Sequence, residues 1–344
     1  MTRTRKTTAI PQAAAQLGAM LPAGCLHPAV REWVDKSRMR GPWGVAFSGG
    51  ADSLALLLLL WSHWPERRAQ LVALHFNHRL RGADADADED FCRKTCRALG
   101  VKCVVGRWRA ARKDASEAES RTARHAFFAE AMRRAGGRVL WLAHQQDDIA
   151  ESMLMRLARG SGTGGLAAPR PVQRMDGGRI HLRPLLTLAK RELTAALRGA
   201  AIKWREDASN ARPEYFRNRI RHSVVPVWQK SAGRDVLAGV ALARERLEED
   251  DVALESWVDR SGLFKRAKVL DVQACHGLPR AVVRRALHRW LLAVRPQTDL
   301  SRQGFELLLA AVERGTATRF SLGTGFAVVR RGELAFALRA KVPR

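Results

Sequence analysis

The chain has 344 residues, too many for one ordinary domain and enough for two. Its 60 Lys and Arg against 34 Asp and Glu leave a net charge of +26, which points to a polyanionic partner, nucleic acid before an anionic membrane surface. No apolar run approaches the roughly 18 residues of a spanning helix, and five cysteines without a CxxC pair argue against a zinc site or a disulfide framework and suit a cytoplasmic protein.

Residues 1–40 are Thr- and Arg-rich, with Glu32 as their first acid, and read as a basic N-terminal extension. Residues 43–47 (WGVAF) form a short apolar run that ends in Ser-Gly-Gly, a buried strand feeding a turn. A helix is expected over 52–61 and a second strand over 71–76. The acids of 84–90 open an amphipathic stretch reaching Leu99; negative charge there suits the first turn of a helix better than a metal site. Strands at 101–105 and 139–143 alternate with helices at 117–134 and 147–157. This alternation predicts an α/β fold, a doubly wound parallel sheet with helices on both faces. Residues 159–165 (RGSGTGG) break the pattern. Beyond about 225 the chain turns Ala-, Arg- and Leu-rich, a mainly helical basic C-terminal domain, with strand-like alternation over 318–338. The expected division is 1–40, 41–225 and 226–344.

The loop Ser48-Gly49-Gly50-Ala51-Asp52-Ser53 lies between strand and helix. Gly49 and Gly50 allow backbone N–H groups to approach a ligand, the helix N-terminus adds positive potential, and Ser48 and Ser53 supply hydroxyls. That is a phosphate cradle at the carboxyl end of a strand. It lacks the Gly-Lys-Ser/Thr ending of a Walker A loop. A plain glycine turn with a capping residue is the bland alternative. Arg121 and Arg124, one turn apart on a helix, are candidates to surround a transferring phosphoryl group, or form a solvated face. His144, Asp147 and Asp148 fall at the end of the fourth strand, on the same rim as the loop. Arg217, Arg219 and Arg221 beside Tyr215 suit backbone contact and stacking on single-stranded RNA, or a solvated helix face.

SGGADS resembles the signature of the pyrophosphate-loop superfamily of ATP pyrophosphatases. Later strings resemble one branch, the tRNA(Ile)-lysidine synthetases: HFNHRLR at 75–81, Glu117-Ala118 with Arg121 and Arg124, AHQQDDIAESMLMRLARGSG at 143–162, RPLL at 183–186, and Asp207 to Asn210 followed by Tyr215, Arg217, Asn218, Arg219, Ile220, Arg221 and Pro226. His125 stands where that family usually has an aromatic, Gln145 where it often has a second histidine, and Ala167-Ala168 where Gly-Met is common. The further C-terminal domain of longer members is expected to be absent.

The resemblance implies adenylation of the wobble cytidine of a CAU-anticodon tRNA(Ile) by ATP with Mg²⁺, then displacement of AMP by free L-lysine. It implies Asp52, Arg121, Arg124, His144 and Asp148 as catalytic residues and Ser48, Gly49, Gly50, Ala51, Asp52, Ser53 and His75 around the nucleotide. Asp147, Glu151, Arg159, Tyr215, Arg217, Arg219 and Arg221 are implied around the other substrates, with Glu151 a candidate to meet the lysine ammonium. No protein-only metal site is expected, and a homodimer is left open. The rival readings are a tRNA thiolase on the same loop, a small-molecule amidating pyrophosphatase, and an RNA-binding protein with an inactive nucleotide domain.

Overall fold

The computed structural model describes residues 9–37, 39–108, 115–206, 215–266, 268–294, 300–323 and 325–338. Two compact units divide between Arg246 and Leu247.

The first unit is built on a six-stranded sheet. Its strands are β1 (Trp43–Ala46), β2 (Leu71–Asn77), β3 (Lys102–Arg107), β4 (Val139–Trp141), β5 (Val172–Met175) and β6 (Arg179–Leu182). They lie in the order β3-β2-β1-β4-β6-β5, and all but the edge strand β5 run parallel. The order reverses between β1 and β4, and at such a switch point the carboxyl ends of two neighbouring strands open a crevice.

Helix α3 (Ala51–His63) follows β1 and is central, because Leu54 and Leu56 to Leu60 are each at most 1% exposed. A helix apolar all round has no solvent face. Helices α4 (Ala83–Leu99), α5 (Glu117–Arg134) and α6 (Gln146–Leu157) complete the crossovers. The acids of 84–90 do open α4, with Asp84 and Asp86 in its first turn. Short helix α7 (Thr163–Leu166) sits within the glycine-rich stretch after α6, and α8 (Lys190–Gly199) packs on α3.

The expected N-terminal extension needs correction from Ile10 onward. Helix α1 (Ile10–Met20) buries Ala13, Ala14, Leu17 and Gly18, and Gly18 leaves no room for a Cβ against Ser62 of α3. Helix α2 (Pro28–Lys36) follows, its N-terminus capped by His27 Nδ1 accepting from Ala29 N. The small residues of α1 allow a close helix–helix approach, so this segment belongs to the core.

After the sheet come α9 (Phe216–Arg219), a single π-helical turn (Ile220–Val224), α10 (Val225–Ala232) and α11 (Val236–Arg260). The division between the units falls inside α11, about one helix beyond the expected residue 225. Arg244 of α11 is 1% exposed, and its guanidinium donates to Ala167 O at 3.4 Å.

The second unit combines helices with a five-stranded antiparallel sheet. Its strands are β7 (Phe264–Arg266), β8 (Val269–Asp271), β9 (Thr318–Ser321), β10 (Gly325–Arg330) and β11 (Glu333–Leu338), in the order β7-β8-β11-β10-β9. Helix α12 (Arg280–Val294) buries Val282, Val283, Ala286, Leu287, Trp290 and Leu291, a stripe at helical spacing, and α13 (Arg302–Arg314) packs beside it.

Candidate functional site

β1 delivers Phe47 to the switch point, where its N–H donates to Leu74 O at 3.0 Å. The loop that follows is wound around Ser53. Ser53 Oγ accepts from Ser48 N at 3.2 Å, lies 3.0 Å from Ser48 Oγ, and donates to Gly50 O at 3.0 Å. Gly50 N donates to Ser48 Oγ at 3.3 Å. Gly49 has φ +90°, a region closed to side chains, and a Cβ there would sit 3.2 Å from the Phe91 ring and 3.3 Å from Cys92 Sγ. From outside, Arg205 ties the loop down: its N–H donates to Gly49 O at 3.0 Å, and its Nε donates to Asp88 Oδ1 at 2.6 Å.

His75 supports the loop from behind. Only its ring can donate to the Phe47 carbonyl, 3.0 Å from Nδ1, so Nε2 is the bare nitrogen, and it is buried with no partner. Burial also lowers its pKa.

Asp52 stands in the first turn of α3. Its Oδ1 is buried without a hydrogen-bond partner, and Oδ2 lies 3.9 Å from Lys190 Nζ. Burial pushes its carboxyl up to about 6; the Lys190 ammonium works against this, and the charges of Asp148 and Asp147 add to it.

Across the crevice, β4 leads into α6. Gln145, at the position where the resembling family often has histidine, is the N-cap: its side chain accepts from Asp147 N at 2.5 Å, while Asp148 Oδ2 accepts from Gln145 N at 3.1 Å. Asp147, expected around the substrates, accepts the backbone N–H of Lys190 at 2.9 Å and fixes the start of α8 to the start of α6.

Asp148 and Glu151 are spent on arginines. Arg217 donates to Asp148 Oδ1 at 2.5 Å and to Glu151 Oε2 at 2.7 Å. Arg221 grips Glu151 with two bonds, 2.6 and 3.0 Å. The Glu151 side chain is 1% exposed. Two expectations are therefore corrected. Glu151 does not face an open space where an ammonium would enter. Arg217 and Arg221 do not form an outward basic run, because their four-residue spacing puts both on the helix face that meets α6. Arg219 points outward, over the Phe216 ring at 5.6 Å, and Tyr215 and Phe216 are exposed beside it.

His144 immediately precedes the N-cap of α6. Its Nδ1 accepts from Arg183 Nε at 3.2 Å. Burial first, then Arg183, Arg217, Arg121 and Arg124, hold its pKa well below the ordinary value. The ring is neutral with its hydrogen on Nε2, a donor rather than a base. Arg121, exposed, and Arg124, half-buried, thus reach this rim through their charge. Arg159 is exposed at the end of α6. Asp207 to Asn210 lie outside the described residues. The residues that sequence reasoning missed are Lys190, Arg183, Arg205 and Asp88. Arg183 stood in the quoted RPLL string and Asp88 in the acidic stretch 84–90; Lys190 and Arg205 had no local signal.

A family model described as a PP-loop domain matches residues 28–228. The tRNA(Ile)-lysidine synthase of Geobacter sulfurreducens is 36% identical over 321 residues, covering 87% of this chain and 66% of that protein. That of Xanthomonas campestris pv. campestris is 40% identical over 285 residues, covering 80% and 62%. A solved U34-tRNA thiolase from Methanococcus maripaludis overlays at TM-score 0.49 and 16% identity, covering 70% of this chain and 78% of that one. The chain spans less than two thirds of the length of these two lysidine synthases.

Proposed function

Because the chain belongs to the PP-loop family of ATP-using domains, we propose that it ligates lysine to the wobble cytidine of a CAU-anticodon tRNA(Ile), releasing AMP and pyrophosphate. The observation that carries this reading is the wound Ser48–Ser53 loop, with Asp52 behind it, facing the α6 rim across the switch point. Identity to tRNA(Ile)-lysidine synthases over most of the chain supports the choice of substrates.

In this reading the N–H groups of Gly49 and Gly50 and the hydroxyls of Ser48 and Ser53 hold the departing pyrophosphate. The buried, unpartnered Oδ1 of Asp52 fits a hard dication. Among the described residues no cluster of three His, Cys, Asp or Glu could hold a metal, so Mg²⁺ would arrive on the nucleotide phosphates and neutralise their charge there. His144 Nε2–H donates to an oxygen at the rim, with Arg121 and Arg124 adding positive potential. The Arg217–Glu151–Arg221 network positions the α6 rim rather than reacting. The unit that ends at Arg246 is the catalytic part and the residues beyond it the tRNA-binding part, with Tyr215, Phe216 and Arg219 exposed for a base or backbone. The thiolase alternative would have to rest on Cys103, whose hydrogen bond with Cys96 holds its thiol down; that same bond pushes the Cys96 thiol up, and burial pushes the Cys92 thiol up.

The test is incubation with ATP, labelled lysine and matched tRNA(Ile) and tRNA(Met) transcripts. AMP and label in tRNA(Ile) alone are expected; ADP as product, or equal label in both, overturns the reading. A second expectation concerns the loop. Gly49→Ala forces an alanine into the positive-φ region at a cost of about 1–2 kcal/mol, so the ATP dissociation constant should rise about tenfold. Calorimetric titration showing unchanged affinity would remove this loop from the nucleotide site.

A further inference from the structure

We propose that Lys190 is a catalytic residue of adenylyl transfer, the cation that meets the pyrophosphate leaving group at the Ser48–Ser53 loop. The inference rests on the adenylating reading above.

A Walker A loop carries its own lysine to the phosphates, and SGGADS has none. The fold brings one from α8, more than 130 residues later. The Lys190 backbone N–H is locked to Asp147 Oδ2 at 2.9 Å, so the residue is anchored at the start of its helix. Its ammonium reaches to 3.9 Å from Asp52 Oδ2, beside the loop, while the side chain stays 43% exposed. One loose contact leaves most of its three N–H donors for a ligand. The neighbouring cations are engaged. Arg217 and Arg221 are held by Asp148 and Glu151, Arg205 by Asp88, and Arg183 by His144, Arg170 O and Gln173. Lys190 has donors to spare beside Asp52, whereas Arg121 on α5 reaches the rim through its charge.

In the step itself, the acceptor oxygen forms a bond to the α-phosphorus, and the bond from that phosphorus to the bridging oxygen breaks. Pyrophosphate leaves with the electron pair, and Lys190 balances the charge gathering on its oxygens without transferring a proton.

The test compares Lys190→Met, Lys190→Arg and Lys190→Glu in the full chain by calorimetric titration with inorganic pyrophosphate and, separately, with AMP, both with Mg²⁺. Losing a charge-assisted contact should weaken pyrophosphate about tenfold in Lys190→Met, with partial recovery in Lys190→Arg and a larger loss in Lys190→Glu. AMP affinity should change little. Pyrophosphate affinity within twofold of the parent in both Lys190→Met and Lys190→Glu overturns the proposal. The pyrophosphate titrations use neither tRNA nor lysine. Absence of lysidine formation by the parent chain would therefore sink the substrate assignment separately.

Discussion

Asp52→Asn is expected to abolish ATP-dependent turnover while making the folded chain more stable above pH 6. The two effects share one cause. Asp52 sits where burial disfavours its charge, with Oδ1 unpartnered and the Lys190 ammonium no closer than 3.9 Å, so its carboxyl is pushed up to about 6. A folded-state pKa above the unfolded value means that the ionised form costs stability. That cost is absent below about 4, grows as pH rises from there to about 6, and is complete above. Discounted for the partial exposure of the side chain, it amounts to about 1–2 kcal/mol. Asparagine removes the cost, so urea unfolding at pH 8 should show the gain, and the gain should vanish at pH 3.5. The carboxylate, in the proposed reaction, faces Mg²⁺ on ATP, and its removal should lower turnover about 10²–10³-fold. A variant that is both active and unchanged in stability would show that Asp52 is neither strained nor used.

Glu151→Ala should be the most destabilising single change at the rim. Glu151 is 1% exposed and receives three guanidinium bonds, one from Arg217 and two from Arg221. Removing it takes from two half-buried arginines the carboxylate they share. Breaking a buried ion pair from one side costs about 3–5 kcal/mol. For a unit of this size each kcal/mol lowers the melting temperature by roughly 2–4 °C. The triple variant Glu151→Leu, Arg217→Met, Arg221→Met replaces the whole network with apolar groups and should regain most of the loss. If Glu151→Ala melts within a degree or two of the parent, the network does not hold α6 against α9 and the π-turn.

The strands that place the site were legible because each is a run of apolar residues closed by a turn, and the glycine loop stood out through residue types that only a close backbone approach requires. What stayed hidden was long-range. Arg217 and Arg221 lie 66 and 70 residues from Glu151, and nothing in a local window distinguishes an arginine facing RNA from one facing a buried carboxylate. Lys190 had no pattern around it to announce a partner in α3. At α6 nothing local announced that Gln145 would be the N-cap and leave the Asp147 carboxylate to hold α8. Helix α1 was masked by averaging. Residues 10–20 contain no Lys or Arg, but they were read together with basic neighbours. Strands β7 and β8, three residues each, are too short for a period of two to register.

The burial of Arg244 decides where this protein can be cut. A chain ending near residue 225, where composition changes, would lose the guanidinium that reaches Ala167 O from inside α11. It would also lose Asp235, which pairs with Arg191 of α8 at 3.0 Å. Both losses fall on the unit that holds the loop, not on the one removed. A fragment meant to keep the loop intact should therefore run at least to Arg246, and a shorter one would report the effects of its own damage rather than the absence of an RNA-binding surface.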